Sequence, residues 1–192
     1  MPTVTGQLVD QLLARARDPQ ALGTSRATCR LLLTHTQRIV NCRMGYVVDT
    51  ATFPTVPYQQ LYTISNPSQV PAAMRMLGVQ EGARNLKKIP WKEFFYFDRA
   101  WGRAVGPTFE LWSMIGRDLL VLWPSKPAAD MVTLVYAKLT NELTDDSIAI
   151  ELPDDTTPLL LDLTEALILY KQRVYGPMTA LADSIQKRLV AA

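Results

Sequence analysis

Hydrophobic positions in the first 45 residues recur at helical spacing, and from Tyr46 onward the period shortens. Leu8, Val9, Leu12, Leu13 and Ala16 share one face of a first helix. Thr5 is placed to cap it, and Asp18-Pro19 to end it, because proline disfavours helical backbone in the residue before it. Cys29, Leu32, Leu33, Thr36, Ile39 and Val40 give a second stripe, predicting a helix from about Ser25 to Met44 that Gly45 stops. Beyond it the chain is rich in Val, Thr and Tyr and broken by Pro54, Pro57, Pro67 and Pro71. That pattern predicts short strands over 46–53, 60–64, 74–79 and 85–89, with a hairpin turn at Gln80-Glu81-Gly82. Pro90 suits the first position of a short aromatic helix, PWKEFFYFDRAW. Strands over 109–115, 118–123 and 131–137 follow, read as an antiparallel meander joined by Gly116-Arg117 and by PSKPAAD.

Helical periodicity returns at Thr157, an N-cap with Pro158 behind it. Leu159, Leu163, Ala166, Leu167, Tyr170 and Val174 form one face, and Leu160, Leu161 and Ile168 widen it, so this helix is expected to be nearly surrounded by protein. Gly176-Pro177 breaks it, and Met178, Leu181, Ala182, Ile185 and Leu189 mark a last amphipathic helix. The expected fold class is α+β in a single domain over 1–192. It has an N-terminal helix pair, a central antiparallel β-rich excursion with a short aromatic helix, and a C-terminal long apolar helix plus a terminal amphipathic helix. The helical core falls at about 1–45 and 153–192, and the β-rich part at about 46–140.

With 48% hydrophobic and 20% charged residues, the composition is that of a globular chain and excludes disorder. No apolar run reaches the roughly 18–20 residues a membrane-spanning helix needs. The opening MPTVTGQLVDQLLARARD lacks a basic start followed by an apolar block, so no secretion signal is expected. Two cysteines are too few for a disulfide scaffold and read as reduced thiols.

Charge changes the picture more. Residues 1–120 carry 14 Lys and Arg against 8 Asp and Glu, whereas residues 121–192 carry 6 against 10. Between Leu139 and Tyr170 there is no basic residue, while eight carboxylates fall there, among them Asp145, Asp146, Asp154 and Asp155. This reads either as a solvated acidic loop with carboxylates near a helix start, or as two electrically distinct surfaces suited to different partners.

Candidate chemistry is sparse. The one histidine, His35, excludes every metal motif that needs two. Cys29, His35 and Cys42 cannot converge from a single helix, because the two thiols point about 220° apart and lie roughly 20 Å apart along its axis. There is no phosphate-binding glycine loop, dinucleotide fingerprint or GxSxG elbow. Glu93 and Asp98 make a poor glycosidase pair, and the acidic doublets lack calcium-loop spacing. Trp91, Phe94, Phe95, Tyr96, Phe97 and Trp101 form the densest aromatic cluster, beside Lys87, Lys88, Lys92, Arg99 and Arg103. It reads as a buried ring face, as a subunit interface through Trp91, Phe94 and Trp101, or as a single-strand nucleic-acid platform. Arg15, Arg17, Arg26, Arg30, Arg38 and Arg43 on the opening helices leave a DNA-binding reading open.

The order of elements resembles the tail adaptor (head-to-tail connector) proteins of tailed bacteriophages over nearly the whole chain. The likeness is carried by the opening helix pair, TVPYQQLYTI followed by a two-stranded hairpin, and PWKEFFYFDRAW. It is carried equally by GPTFELW through DLLVLWPSKPAADMVTLVYAKLTNELTDD, and by ELPDDTTPLLLDLTEALILY. PQALGTS lacks the acidic cap expected before the second helix, and Cys29 and His35 match no family pattern. The resemblance implies a homo-oligomeric ring, commonly a dodecamer, docked under the portal protein and joined to tail or nozzle proteins at the portal–tail junction of the virion. Double-stranded DNA would pass through without sequence-specific binding; no cofactor, membrane contact or catalytic residue is implied. On that reading Ile185, Lys187, Arg188 and Leu189 are portal-interface candidates, and Asp145, Asp146, Asp154 and Asp155 are candidates for the channel wall, where carboxylates repel phosphates. The alternatives are a DNA-binding packaging protein using the Arg-rich N-terminal helices, and a hydrolase.

Overall fold

Ser25 and Gly45 bracket the longest helix, as the spacing predicts. In the computed structural model the Ser25 hydroxyl accepts from Thr28 N at 3.2 Å, and Gly45 closes the helix in the left-handed region with φ 72°. The structure describes residues 3–16, 23–64, 73–94, 101–116, 118–172, 181–182 and 185–186. Three helices are described: α1 (Thr5–Arg15), α2 (Arg26–Met44) and α3 (Thr157–Lys171). The chain divides into two compact units, one made of residues 1–47 with 139–192 and the other of residues 48–138. The helical unit therefore joins both parts of the chain that flank the β-rich insertion, and it takes in residues 139–152 as well.

The helical unit is built around Leu8, Leu12, Leu33, Val40, Leu160 and Ile168, each 2% exposed or less. Three details differ from the periodicity. Thr5 is the first residue of α1 rather than its cap, and its buried hydroxyl donates to Ile148 O at 2.6 Å. Ile39, expected inside, is 53% exposed, while Gln37 and Asn41 are fully buried on α2. α3 is preceded by a 3-10 turn over Asp154–Thr156 and buries Leu159, Leu160, Leu161, Asp162, Thr164 and Ile168, so its inward side includes a carboxylate and a hydroxyl. Tyr170, assigned to its buried face, is 62% exposed. Of the expected last helix, Leu181, Ala182, Ile185 and Gln186 are helical; Met178, Lys187, Arg188 and Leu189 lie outside the described residues, as does Val174.

The β unit holds β1 (Val48–Pro54), β2 (Leu61–Thr63), β3 (Ala73–Glu81), β4 (Arg84–Asn85), β5 (Lys87–Lys88), β6 (Leu111–Ile115), β7 (Leu119–Trp123) and β8 (Met131–Lys138). They form two four-stranded sheets, ordered β1-β8-β3-β4 and β2-β7-β6-β5. β3 and β4 make the expected hairpin, with Glu81 opposite Arg84. β6 and β7 likewise pair antiparallel around Gly116. The meander stops there: β8 leaves β7 and runs down the middle of the other sheet, between β1 and β3. β5 pairs with β6 in parallel, so the excursion is not purely antiparallel.

Side-chain alternation explains the layering. Val132, Leu134 and Tyr136 of β8 are buried and meet Trp112, Leu120 and Leu122 in one core. Val121, between those two leucines, points the other way, to Ile89, Phe94 and the half-buried Trp91. β7 is thus covered on both faces, which accounts for its unbroken apolar run LLVLW.

Candidate interaction surfaces

The acidic run is a strap bound along α2, with Glu142 and Asp145 still exposed to solvent and Asp154 and Asp155 exposed in the turn before α3. Leu143 N donates to the buried Thr34 hydroxyl at 3.0 Å. The buried Gln37 amide accepts from Glu151 N at 3.2 Å and reaches Asn141 O at 3.5 Å. Arg38 donates to Thr140 O at 3.4 Å and to Glu142 at 3.2 Å. Further along, Arg26 and Arg30 grip Asp146 at 2.7 and 3.1 Å, and Arg26 also reaches Asp10 at 2.6 Å. Residues 140–146 therefore run antiparallel to α2, with one grip per helical turn. The strap also supplies what α1 lacks: with no side-chain cap, its first N–H groups are met by Ile148 O (2.9 Å from Thr5 N) and Asp146 O (2.8 Å from Gly6 N). A Cβ at residue 6 would sit 3.1 Å from that Asp146 oxygen, so any larger residue there would push the strap back by a few tenths of an ångström.

On α3, Arg15 bridges Asp162 at 2.8 Å and Glu165 at 3.3 Å. Part of the charge segregation read along the sequence is thus met inside the helical unit, where four arginines of the N-terminal helices face acidic C-terminal partners. Arg15, Arg26, Arg30 and Arg38 are accordingly engaged with carboxylates, and Arg17 lies outside the described residues. Of the channel-wall candidates, Asp146 is held by two arginines and Asp154 accepts from the Thr3 hydroxyl at 2.8 Å, while Asp145 and Asp155 are exposed.

Arg26 holds the Asp146 carboxyl below the usual carboxylate range, and hydrogen bonds from Thr3 do the same for Asp154. In each case the folded group binds its proton less readily than the unfolded one. The stability it contributes is complete above an unfolded pKa of about 3.9 and drains away as pH falls through the folded value. Thermal melts from neutral to strongly acid pH should show a steep loss below about pH 4. Asp146→Asn should flatten that limb; an unaltered acid slope in the variant would count against the ionic grip.

In the β unit the densest polar cluster ties three loops together. Lys126, 12% exposed at its side chain, reaches Glu81 at 2.6 Å, contacts Asp130, and lies 5.5 Å over the Phe109 ring. Thr55 N donates to Asp130 O at 2.8 Å, and Asp130 N returns a bond to the Thr55 hydroxyl at 2.9 Å. The Tyr62 hydroxyl donates to Gln59 O at 2.8 Å and accepts from Val56 N at 3.3 Å, and Tyr58 N donates to Lys126 O at 2.7 Å. The loop between β1 and β2 is fixed from three sides while Val56 and Tyr58 stay 51% and 66% exposed. The stretch TVPYQQLYTI carried part of the family likeness, but no pattern in it assigned the loop a polar anchor.

The open edge of β1 is blunted. Because Thr55 N faces β8, the register directs Asp49, Ala51 and Phe53 to β8 and leaves Val48, Thr50, Thr52 and Pro54 facing outward. Thr50 N is taken by its neighbour's Asp49 carboxylate at 2.8 Å, and Pro54 has no N–H. Strand addition at this edge is thereby discouraged.

The aromatic candidates separate. Phe94 is 1% exposed and is a core residue, Trp91 is half-buried beside it at 6.1 Å between centroids, and Trp101 heads a 3-10 turn over Trp101–Arg103. Phe95, Tyr96 and Phe97 lie outside the described residues. Ile185, a portal-interface candidate, is 9% exposed and packs into the helical core. Beside it is a groove of about 400 Å³, walled by Ile39 of α2, Leu163, Leu167 and Tyr170 of α3, and Ala182 and Ile185; the described residues that line it carry no charge. Among the described residues no group of three or more His, Cys, Asp or Glu side chains is placed to hold a metal ion. Nor is any helix among them long and apolar enough to cross a membrane. No protein-family model matches the chain, and no curated protein matches it.

Proposed function

We propose that the chain is a structural adaptor of a tailed bacteriophage, a subunit of a ring that sits beneath the portal and continues the DNA channel toward the tail. One observation carries the reading: Arg15, Arg26, Arg30 and Arg38 are paired with carboxylates of their own unit, and both units leave apolar side chains at their surface. Leu31, Ile39 and Tyr170 on the helical unit and Val56, Tyr58 and Val105 on the β unit are all more than half exposed. Ile39 and Tyr170 line one groove, and Val56 and Tyr58 share one loop; exposed apolar groups that gather in this way suit protein contact. The element order supports the same reading, since a helix pair, a β insertion and a returning helix follow the adaptor resemblance. The DNA-binding alternative is disfavoured by the carboxylates already bound to Arg15, Arg26, Arg30 and Arg38.

The test is the mass of the purified protein alone and after mixing with the portal protein of the same virus. A portal-bound ring of many copies is expected. A chain that leaves the portal unaltered in mass, or that binds short duplex DNA with the steep salt dependence of phosphate contacts, overturns the reading.

A further inference from the structure

The outer edge of β1 is blunted, but the edge of β3 beside β4 is not. β3 runs nine residues from Ala73 to Glu81, whereas β4 has two, paired with Gln80 and Glu81. Leu86 N then donates to Val79 O at 2.9 Å, and the chain leaves for β5 in the other sheet. From Arg75 to Gly78, β3 therefore pairs with β8 on one side and, among the described residues, with no strand on the other. No proline interrupts this stretch. Where β4 stops, a notch of about 320 Å³ opens along the edge, walled by Leu77 and Val79 of β3, by Leu86, and by Lys88 and Trp112 of the other sheet. Those residues and their chain neighbours are all described. The register slip between Met76 and Gly78 leaves Leu77 opposite no residue of β8 and half-buried along the notch, and Gly78 adds no side chain to cover it.

We propose that this edge takes an extended acidic segment of a partner protein as an added strand, in the place β4 would fill if it ran on. Two observations set the chemistry of the occupant. The backbone groups of an edge without a strand partner are matched by another extended backbone, whose main-chain bonds give affinity while neighbouring pockets read alternate side chains. Charge gives the second constraint. No carboxylate lines the notch, and Lys88 is exposed, lies 4.9 Å over the Trp112 ring, and is paired with no carboxylate among the described residues. Lys88 lies beside Trp112 in the β5–β6 pair, so both project from one face of that sheet. In an extended segment residues two apart also share a face. An apolar side chain set against Leu77 and Leu86 thus brings a carboxylate two positions away to the Lys88 ammonium. A nucleic acid is the poorer fit, because Trp112 is 1% exposed and offers no ring face for a base to stack on. The inference goes beyond the adaptor reading and does not depend on it.

The test is a titration of the full chain with a blocked peptide, Glu-Thr-Val-Thr-Glu, read from backbone amide signals in nuclear magnetic resonance. The peptide reads the same in both directions, so it presents valine and a carboxylate on one face whichever way it runs. The amides of Leu77, Gly78 and Val79 should shift. Methylating the threonine nitrogens and methylating the valine nitrogen are separate probes. One should abolish binding and the other spare it, because only alternate N–H groups of a strand face its neighbour. Replacing both glutamates of the peptide by lysine should weaken binding by about tenfold or more, the usual scale for a lost charge-assisted contact. Lys88→Met keeps the apolar stem over Trp112, so the fold should be retained, and it should no longer distinguish the two peptides. No shift at millimolar peptide, tolerance of both methylated forms, or equal binding of the lysine peptide overturns the proposal. So does a thymidine oligonucleotide that shifts these amides when the peptide does not. None of those results alters portal binding, on which the adaptor reading stands or fails by itself.

Discussion

Trp112→Ala should cost the β unit about 3–5 kcal/mol, the loss typical of emptying a fully buried tryptophan site. The ring is 1% exposed in a core with Phe53, Tyr62, Phe109, Leu120, Leu122 and Leu134, drawn from both sheets. Its backbone pairs with Leu122 across the β6–β7 hairpin and accepts from Ile89 N at 3.0 Å, tying β5 to the same point. Lys88 Nζ lies 4.9 Å over the ring, covering the remaining side. Collapse around the void is limited, because the backbone on either side is locked into strands. For a unit of this size each kcal/mol shifts the melting temperature by about 4–8 °C, so the transition should fall by roughly 12–40 °C. Trp112→Phe should recover most of that loss. Calorimetry or near-ultraviolet circular dichroism reads the shift, and a loss below about 1 kcal/mol would mean the ring is not packed as described.

What could be read ahead of the structure was local. The α2 boundaries were legible because Ser25 and Gly45 are chemical stop signs that act on their immediate neighbours. The β6–β7 hairpin was legible for the same reason, through its short Gly116 turn. The path of β8 was not: its alternation of Val132, Leu134 and Tyr136 shows that one face is buried, but alternation is silent about which strands lie on either side. Sheet pairing over eighty residues, such as Val48 with Ala137, is decided by packing and not by local preference. The parallel β5–β6 pair was hidden by the brevity of Lys87-Lys88.

The charge pattern teaches a related lesson about the site. A basic first half and an acidic later run can mean two outward-facing surfaces, or two partners that neutralise each other within the fold. Spacing held a hint that favoured the second: Arg26, Arg30 and Arg38 lie on one side of α2 at multiples of four residues, with Thr34 completing the row. Glu142 and Asp146 are likewise four apart. Eight helical residues from Arg38 to Arg30 span about the same 12–13 Å as four extended residues from Glu142 to Asp146, so the charges match along an antiparallel strap. That pairing engages Arg15, Arg26, Arg30 and Arg38, four of the six arginines on which a nucleic-acid reading would rest.

The same ionic stitching should fail most sharply where it is most buried. Asp162 is 8% exposed at its side chain on α3, and Arg15 at the end of α1 is the cation that meets it, at 2.8 Å. Removing one partner of a buried pair costs about 3–5 kcal/mol, because the remaining charge is stranded away from water. Arg15 is itself 39% exposed, so water and Glu165 at 3.3 Å soften the loss. Arg15→Met, which keeps the apolar stem, should therefore destabilise the helical unit by about 2 kcal/mol. Adding Asp162→Asn to the same chain removes the charge that Arg15 met while keeping its hydrogen-bonding shape, and should restore part of that. A denaturant melt of the two single variants and the double gives the coupling directly. Additive losses, with no recovery in the double variant, would show that Arg15 acts through its packing alone and that the charge of Asp162 is satisfied without it.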